Sequence, residues 1–132
     1  MKKIVLKICS IVLLMITMLP ICIFGACSNY TKKEICLGNV QLNECFDIRL
    51  KSYSGTAFCW DYEIDANGGV QNVNCEYVLP NDNQDWIAGG ELVYTFKATK
   101  EGNHKIVFYL YDRSQKNSTI IEKIKYTISI IK

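Results

Sequence analysis

The sequence predicts an all-β protein, an immunoglobulin-like β-sandwich of about seven antiparallel strands. Three observations carry that prediction. Apolar and polar residues alternate with period two in at least five runs. Clusters of Gly, Asn, Asp, Pro and Ser separate those runs at short intervals. No segment after Cys27 repeats its apolar residues with a helical period.

The runs follow in chain order. Phe46, Ile48 and Leu50 alternate with Asp47 and Arg49. Phe58, Trp60, Tyr62 and Ile64 alternate with Cys59, Asp61, Glu63 and Asp65. Leu92, Tyr94, Phe96 and Ala98 form the third apolar set, and Ile106, Phe108 and Leu110 the fourth. Ile124, Tyr126, Ile128 and Ile130 alternate with Lys and hydroxyl residues in the fifth. Turn chemistry lies at ANGG (66–69), PNDNQD (80–85), AGGE (88–91), KEGN (100–103) and DRSQKNS (112–118). Short strands at this spacing, in a chain of this length, suit a sandwich with Trp60 early in a central strand.

The amino terminus has the composition of an export signal. Lys2, Lys3 and Lys7 precede an apolar run, and small residues precede Cys27. Gly25-Ala26-Cys27 matches a bacterial lipobox, with Phe24 where Leu is usual. We therefore expect residues 1–26 to be a lipoprotein-type signal peptide and Cys27 to carry the lipid. Residues 27–34 then form a polar tether, and 35–132 the folded domain. Simple secretion and a retained apolar span are the alternatives, since Ile8 to Ala26 approaches the ~20 residues that cross a bilayer.

Losing the three lysines leaves 12 basic residues against the 13 acidic ones, a net charge of −1. With no basic patch, no nucleic-acid partner is expected. One core and one domain fit the remaining length, and a monomer is expected. Cys36, Cys45, Cys59 and Cys75 remain beyond Cys27, an even number for an oxidising compartment, so two disulfides are expected. Cys59 faces Cys75 if ANGG turns a hairpin with a three-residue loop, which leaves Cys36 with Cys45. No C-x-x-C spacing supports a metal site.

Catalytic chemistry finds little support. His104 is the single histidine, placed after Gly102-Asn103, where a surface or turn role is far commoner than catalysis. Asp61, Glu63 and Asp65 read as a solvated strand face, and Asp82 with Asp85 as a polar turn. No phosphate-cradling glycine loop opens a helix. The chain is expected not to be an enzyme, and no cofactor or metal is expected.

The small, bare loop before Trp60 resembles a feature of the chagasin-like inhibitors of papain-family cysteine proteases. That family carries an Asn-Pro-Thr-Thr-Gly loop running into aromatic-x-Trp. Here Tyr53-Ser54-Gly55-Thr56-Ala57 occupies that place and Phe58-Cys59-Trp60 follows. A Gly-x-Gly-Gly loop corresponds to Ile87-Ala88-Gly89-Gly90, and an Arg-Pro-Trp loop to Arg113-Ser114-Gln115. Thr56, Gly89, Gly90 and Arg113 match, whereas the Asn, Pro and Gly of the first loop, the first Gly of the second (Ile87 here) and the Trp of the third (Gln115 here) do not. The strands match better than the tips, from about Glu44 to Ile130.

The resemblance implies reversible inhibition by three loops at one end of the sandwich. The protease-binding residues it implies are Tyr53, Ser54, Gly55, Thr56, Ala57, Phe58, Ala88, Gly89, Gly90, Arg113, Ser114 and Gln115. The implied partner is a papain-like cysteine protease, with membrane attachment through Cys27. The other reading is a cell-envelope lipoprotein whose Ig-like domain binds a different partner and does not inhibit.

Overall fold

The computed structural model describes residues 30–53, 55–79, 89–114 and 116–132. They form seven strands: β1 (Thr31–Gln41), β2 (Cys45–Lys51), β3 (Phe58–Ile64), β4 (Val70–Val78), β5 (Glu91–Ala98), β6 (Gly102–Asp112) and β7 (Thr119–Ile131). They lie in two sheets, one ordered β1-β7-β6-β3 and the other β2-β5-β4. The protein is the expected all-β, immunoglobulin-like sandwich. Every pairing is antiparallel except β1 with β7, which run parallel.

The inward sets of the alternating runs make the core. Phe96, Phe108 and Ile106 are fully buried, with Ile48, Leu50, Ile128 and Ile130 nearly so. Tyr62 sits among Tyr94, Phe96 and Phe108, with ring centroids 5.6, 5.7 and 5.6 Å away. Trp60 meets Phe108 edge-on at 6.5 Å. The edge-to-face contacts of Tyr62 with Tyr94 and Phe96 cross between the two sheets and add directional attraction to the area buried.

Four expectations are corrected. Thr31 to Glu34, expected within the polar tether, belong to β1. ANGG is not a hairpin: β3 and β4 lie in different sheets, so the turn crosses between layers. The arithmetic pairing Cys59 with Cys75 therefore fails.

The four described cysteines, Cys36, Cys45, Cys59 and Cys75, are all free. Cys36 and Cys45 also occupy different sheets, and Cys36 and Cys59 lie on opposite edges of one. With strands about 4.8 Å apart, three steps exceed the ~7 Å that a disulfide spans between Cα atoms.

His104 is the fourth. It is only 3% exposed, not a surface residue. Its Nε2–H donates to the Lys100 carbonyl at 2.9 Å, and Nδ1 lies 3.4 Å from the Asp65 carboxylate. Asp65 also accepts from the Lys105 backbone N–H at 3.0 Å. A Cβ on Gly69 would overlap the imidazole ring. This packed group joins the β3–β4 and β5–β6 turns at one end of the sandwich. A histidine with both nitrogens so engaged is structural.

Candidate functional site

The opposite end carries the three small loops, and strand register places them there. Lys51, which ends β2, pairs with Glu91, which starts β5 and pairs with Val78 at the end of β4. In the other sheet, Phe58 at the start of β3 pairs with Asp112, which pairs with Thr119. The strand ends at Lys51, Phe58, Val78, Glu91, Asp112 and Thr119, and the described residues next to them, therefore share one end. Ser54, Ala88 and Gln115 lie outside the described residues, as do Ile87, Cys27, Asp82 and Asp85.

The first loop lies between the other two and is bonded to both. Its Ser52, 5% exposed, donates its backbone N–H to the Gly90 carbonyl at 2.7 Å. On the other side, the Arg113 N–H donates to the Ala57 carbonyl at 3.0 Å. Below, the Trp60 indole Nε1–H donates to the Lys51 carbonyl at 2.9 Å. The ends of the loop are thus fixed by sheet, neighbour and core together.

Within the loop, Thr56 closes a tight turn. Its hydroxyl donates to the Tyr53 carbonyl at 2.6 Å and accepts from the Phe58 N–H at 3.1 Å. Its own N–H donates to the same Tyr53 carbonyl at 3.1 Å. Gly55 has φ 79°, a left-handed conformation that glycine adopts without steric cost. Tyr53 and Phe58 meet edge-on at 5.8 Å, and the Lys51 ammonium lies 5.6 Å from the Tyr53 ring centre. These rings brace the loop stem while Gly55, Thr56 and Ala57 stay exposed. The tip is narrow and its base is held.

The second loop is fitted to its neighbours by glycine. A Cβ on Gly89, at φ 68°, would lie 3.0 Å from the Ser52 carbonyl oxygen. A Cβ on Gly90 would run into the Tyr77 ring and the Val78 carbonyl. The third loop starts with an Asx turn, in which the Asp112 carboxylate accepts from the Ser114 N–H at 2.8 Å. Ser114, through its side chain first and its backbone second, holds the Asp112 carboxyl below its ordinary value. Arg113 and Ser114 are exposed and Tyr111 is half-buried.

The structure thus brings the described members of the three loops together. It also shows supports that sequence reading did not single out: Ser52, the Trp60 indole N–H, Tyr77 under Gly90, and Asp112. Only Trp60 carried a signal, as the end of the aromatic-x-Trp run. Ser52 between Lys51 and Tyr53 has none, since its contact depends on where a distant strand begins. Among the described residues no group of three or more His, Cys, Asp or Glu could hold a metal ion.

Residues 39–130, most of the sandwich, match the sequence signature described as chagasin family peptidase inhibitor I42. The chain belongs to the chagasin family of peptidase inhibitors. Among solved structures, this family member is similar to the cysteine protease inhibitor EhICP2 from Entamoeba histolytica. The TM-score is 0.60 at 13% identity, covering 77% of this chain and 97% of that one. The solution structure of amebosin is also similar, with TM-score 0.48 and 18% identity over 76% of this chain and 98% of that one. No curated protein matches in sequence. At 13% identity the likeness to EhICP2 speaks for the fold alone, and the family signature for peptidase inhibition.

Proposed function

We propose that this chagasin-family member inhibits a papain-like cysteine protease reversibly, with the loop end described above inserted into the active-site cleft. The observation that supports it best is the double tie of the first loop. Its Ser52–Gly90 and Arg113–Ala57 backbone bonds hold a narrow tip between two flanking loops. A papain-like cleft takes a narrow extended segment, with the reactive thiol at its floor. Gly55, Thr56 and Ala57 have little width and can enter such a slot. The turn locked by Thr56 does not offer an extended peptide bond for cleavage.

Preorganisation supplies the energetic argument. Ordering a loop on binding costs ~0.5–1.5 kcal/mol for each immobilised side chain, and a loop already fixed avoids much of it. Gly89 and Gly90 bring bare backbone to one side, and Arg113 with Tyr111 offers a cationic and aromatic edge to the other. Neither catalysis nor a bound cofactor enters this mechanism. We also propose that the protein is exported and held at a membrane through Cys27.

Titration of the purified domain against papain and a cathepsin tests the inhibition. Reversible, competitive loss of activity is the expected result. Full protease activity with tens of micromolar protein present would reject it.

A further inference from the structure

The turn at 65–69 carries the chain from β3 in one sheet to β4 in the other. It contains the single Asn-Gly pair of the sequence, Asn67-Gly68. Ala66, Asn67 and Gly68 are all exposed. Among the described residues none bonds the Asn67 side-chain amide. The Gly68 N–H makes a long contact with the Asp65 carbonyl, 3.4 Å, beyond the range of about 2.7–3.2 Å for a good N–H···O bond. Gly68 lies at φ 64° and has no side chain to shield its nitrogen.

Immediately past that nitrogen the chain is held. The Gly68 carbonyl accepts from the Thr99 hydroxyl, and the Gly69 carbonyl from the Thr99 N–H, each at 2.9 Å. Gly69 is buried against the His104 ring, where even a Cβ would overlap. A free amide and an open nitrogen therefore border a tightly fitted group.

We propose that Asn67 is a self-modifying site, at which the Gly68 nitrogen attacks the side-chain amide and converts the residue to isoaspartate, loosening the His104 end of the sandwich as the protein ages. In that step the Gly68 nitrogen gives its proton to water and bonds to Cγ of Asn67. The bond from Cγ to Nδ2 breaks, and ammonia leaves with a proton. The product is a five-membered succinimide ring. Water then opens one of its two carbonyls, giving aspartate or, where the main-chain carbonyl is opened, isoaspartate. Water is the sole co-reactant, and nothing is oxidised or reduced. Every other asparagine precedes a residue with a side chain, which crowds the approaching nitrogen.

Isoaspartate routes the main chain through Cβ, adding one carbon and about 1.5 Å to the turn. It also leaves a carboxylate two residues from Asp65, whose own carboxylate meets His104 and the Lys105 N–H. The added length cannot be taken up at Gly69, because the imidazole fills that space. The Thr99 bonds or the His104 packing must then give way. The loop end shares none of these bonds.

The test keeps the purified protein in warm, mildly alkaline buffer for several weeks. Peptide mass spectrometry locates the conversion, and isoaspartyl methyltransferase labelling separates the two products. Asn67 should convert at least tenfold faster than Asn43, Asn103 or Asn117, with isoaspartate the major product. Its rate should lie within about tenfold of that in a free peptide spanning residues 64–70. Conversion no faster than at Asn117 overturns the proposal, as does protection of about a hundredfold relative to the peptide. Stability supplies a second readout. Aged protein should melt at least about 4 °C below fresh protein. Asn67→Asp, measured fresh, adds the charge without the carbon and should melt close to the native protein. Asn67→Gln, whose longer side chain closes a ring far more slowly, should keep its melting temperature through the same incubation. Converted protein that melts like fresh protein would show that the turn absorbs the added carbon, and the loosening would be refuted. No protease enters these readouts, so their failure is distinct from failure of the inhibitor reading.

Discussion

Trp60 donates its indole N–H to the backbone carbonyl of Lys51, 2.9 Å away across nine residues of chain. The bond joins the start of β3 to the end of β2, which belong to different sheets. Between the two partners lies the first loop. The tryptophan thus serves twice: its ring packs against Phe108 in the core, and its one polar atom fixes the loop stem.

Trp60→Phe should separate those roles in part. It keeps an aromatic ring, loses volume and leaves the Lys51 carbonyl without its donor. Stability should fall by about 2–3 kcal/mol, combining a small cavity with an unsatisfied acceptor. Inhibition should weaken several-fold more than Phe108→Leu weakens it at equal loss of stability. Comparing inhibition constants with urea midpoints checks this; equal effects would mean that the stem bond does nothing for the loop.

The cysteines should behave as four thiols. A thiol reagent added to denatured, unreduced domain should count four, and reductant should leave the melting temperature unchanged. A disulfide would have shown itself as a loss of stability on reduction, roughly 2–4 kcal/mol. The sequence misled here for a definite reason: the pairing assumed that ANGG turns back within one sheet, whereas it carries the chain from one layer to the other.

Strands β2, β3, β5 and β7 were legible because their alternation is unbroken, and β6 because Ile106, Phe108 and Leu110 led one face. β1 was not, because a bulge between Cys36 and Gly38 shifts its register. Ile35 and Leu37 share one parity and Val40 the other, so no single period covers the strand. β4 has the same defect between Asn72 and Asn74. That shift turns Cys75 to the same side as Tyr94, its partner on β5, a placement that parity counted from Val70 would reverse. The loop order and its common end were legible from the family resemblance. The bonds between loops were not, since each joins residues far apart in sequence.

At the other end, Gly69→Ala should destabilise the fold by more than ~2 kcal/mol, because its methyl group overlaps the His104 ring and neither can yield in a packed turn. His104→Ala should cost a similar amount through the lost bonds to Lys100 and Asp65. Their effects should be less than additive, because the smaller side chain makes room for the methyl group. A double-mutant cycle by thermal melting measures this. Simple additivity would show that Gly69 is not needed for the histidine.

Alkaline pH should unfold the domain. Burial, with help from Glu63, pushes the Tyr109 hydroxyl up to about 12 from its usual 10, and burial also raises Tyr94 and Tyr126. The folded state holds these protons where the unfolded chain has released them. Their stabilisation is complete below pH 10 and is lost as pH rises through 10 to 12. Tyr109 donates to the Glu63 carboxylate at 3.0 Å, so the bond exists only while the phenol is neutral. Absorbance at 295 nm should show a late tyrosinate step coinciding with loss of β-sheet circular dichroism. Tyr109→Phe should reduce that step. Titration of all tyrosines near pH 10 in a still-folded protein would contradict the assignment.

Thr56 gives the sharpest test of the loop tip, since its hydroxyl is already committed within the loop. It donates to Tyr53 and accepts from Phe58, so its role in binding is to set the turn rather than to contact the protease through oxygen. Thr56→Ser keeps both bonds and should inhibit within about threefold of the native protein. Thr56→Val keeps the shape and loses both, which should weaken inhibition about tenfold, equivalent to ~1.4 kcal/mol. Thr56→Arg adds width as well and should weaken it further. Position 56 is exposed and outside the core, so the melting temperatures of all three variants should move little. Equal inhibition by Val and Ser would mean that the turn is not what the protease recognises. Equal inhibition by Arg would mean that the tip does not enter a narrow cleft at all, leaving the flanking loops as the only contacts.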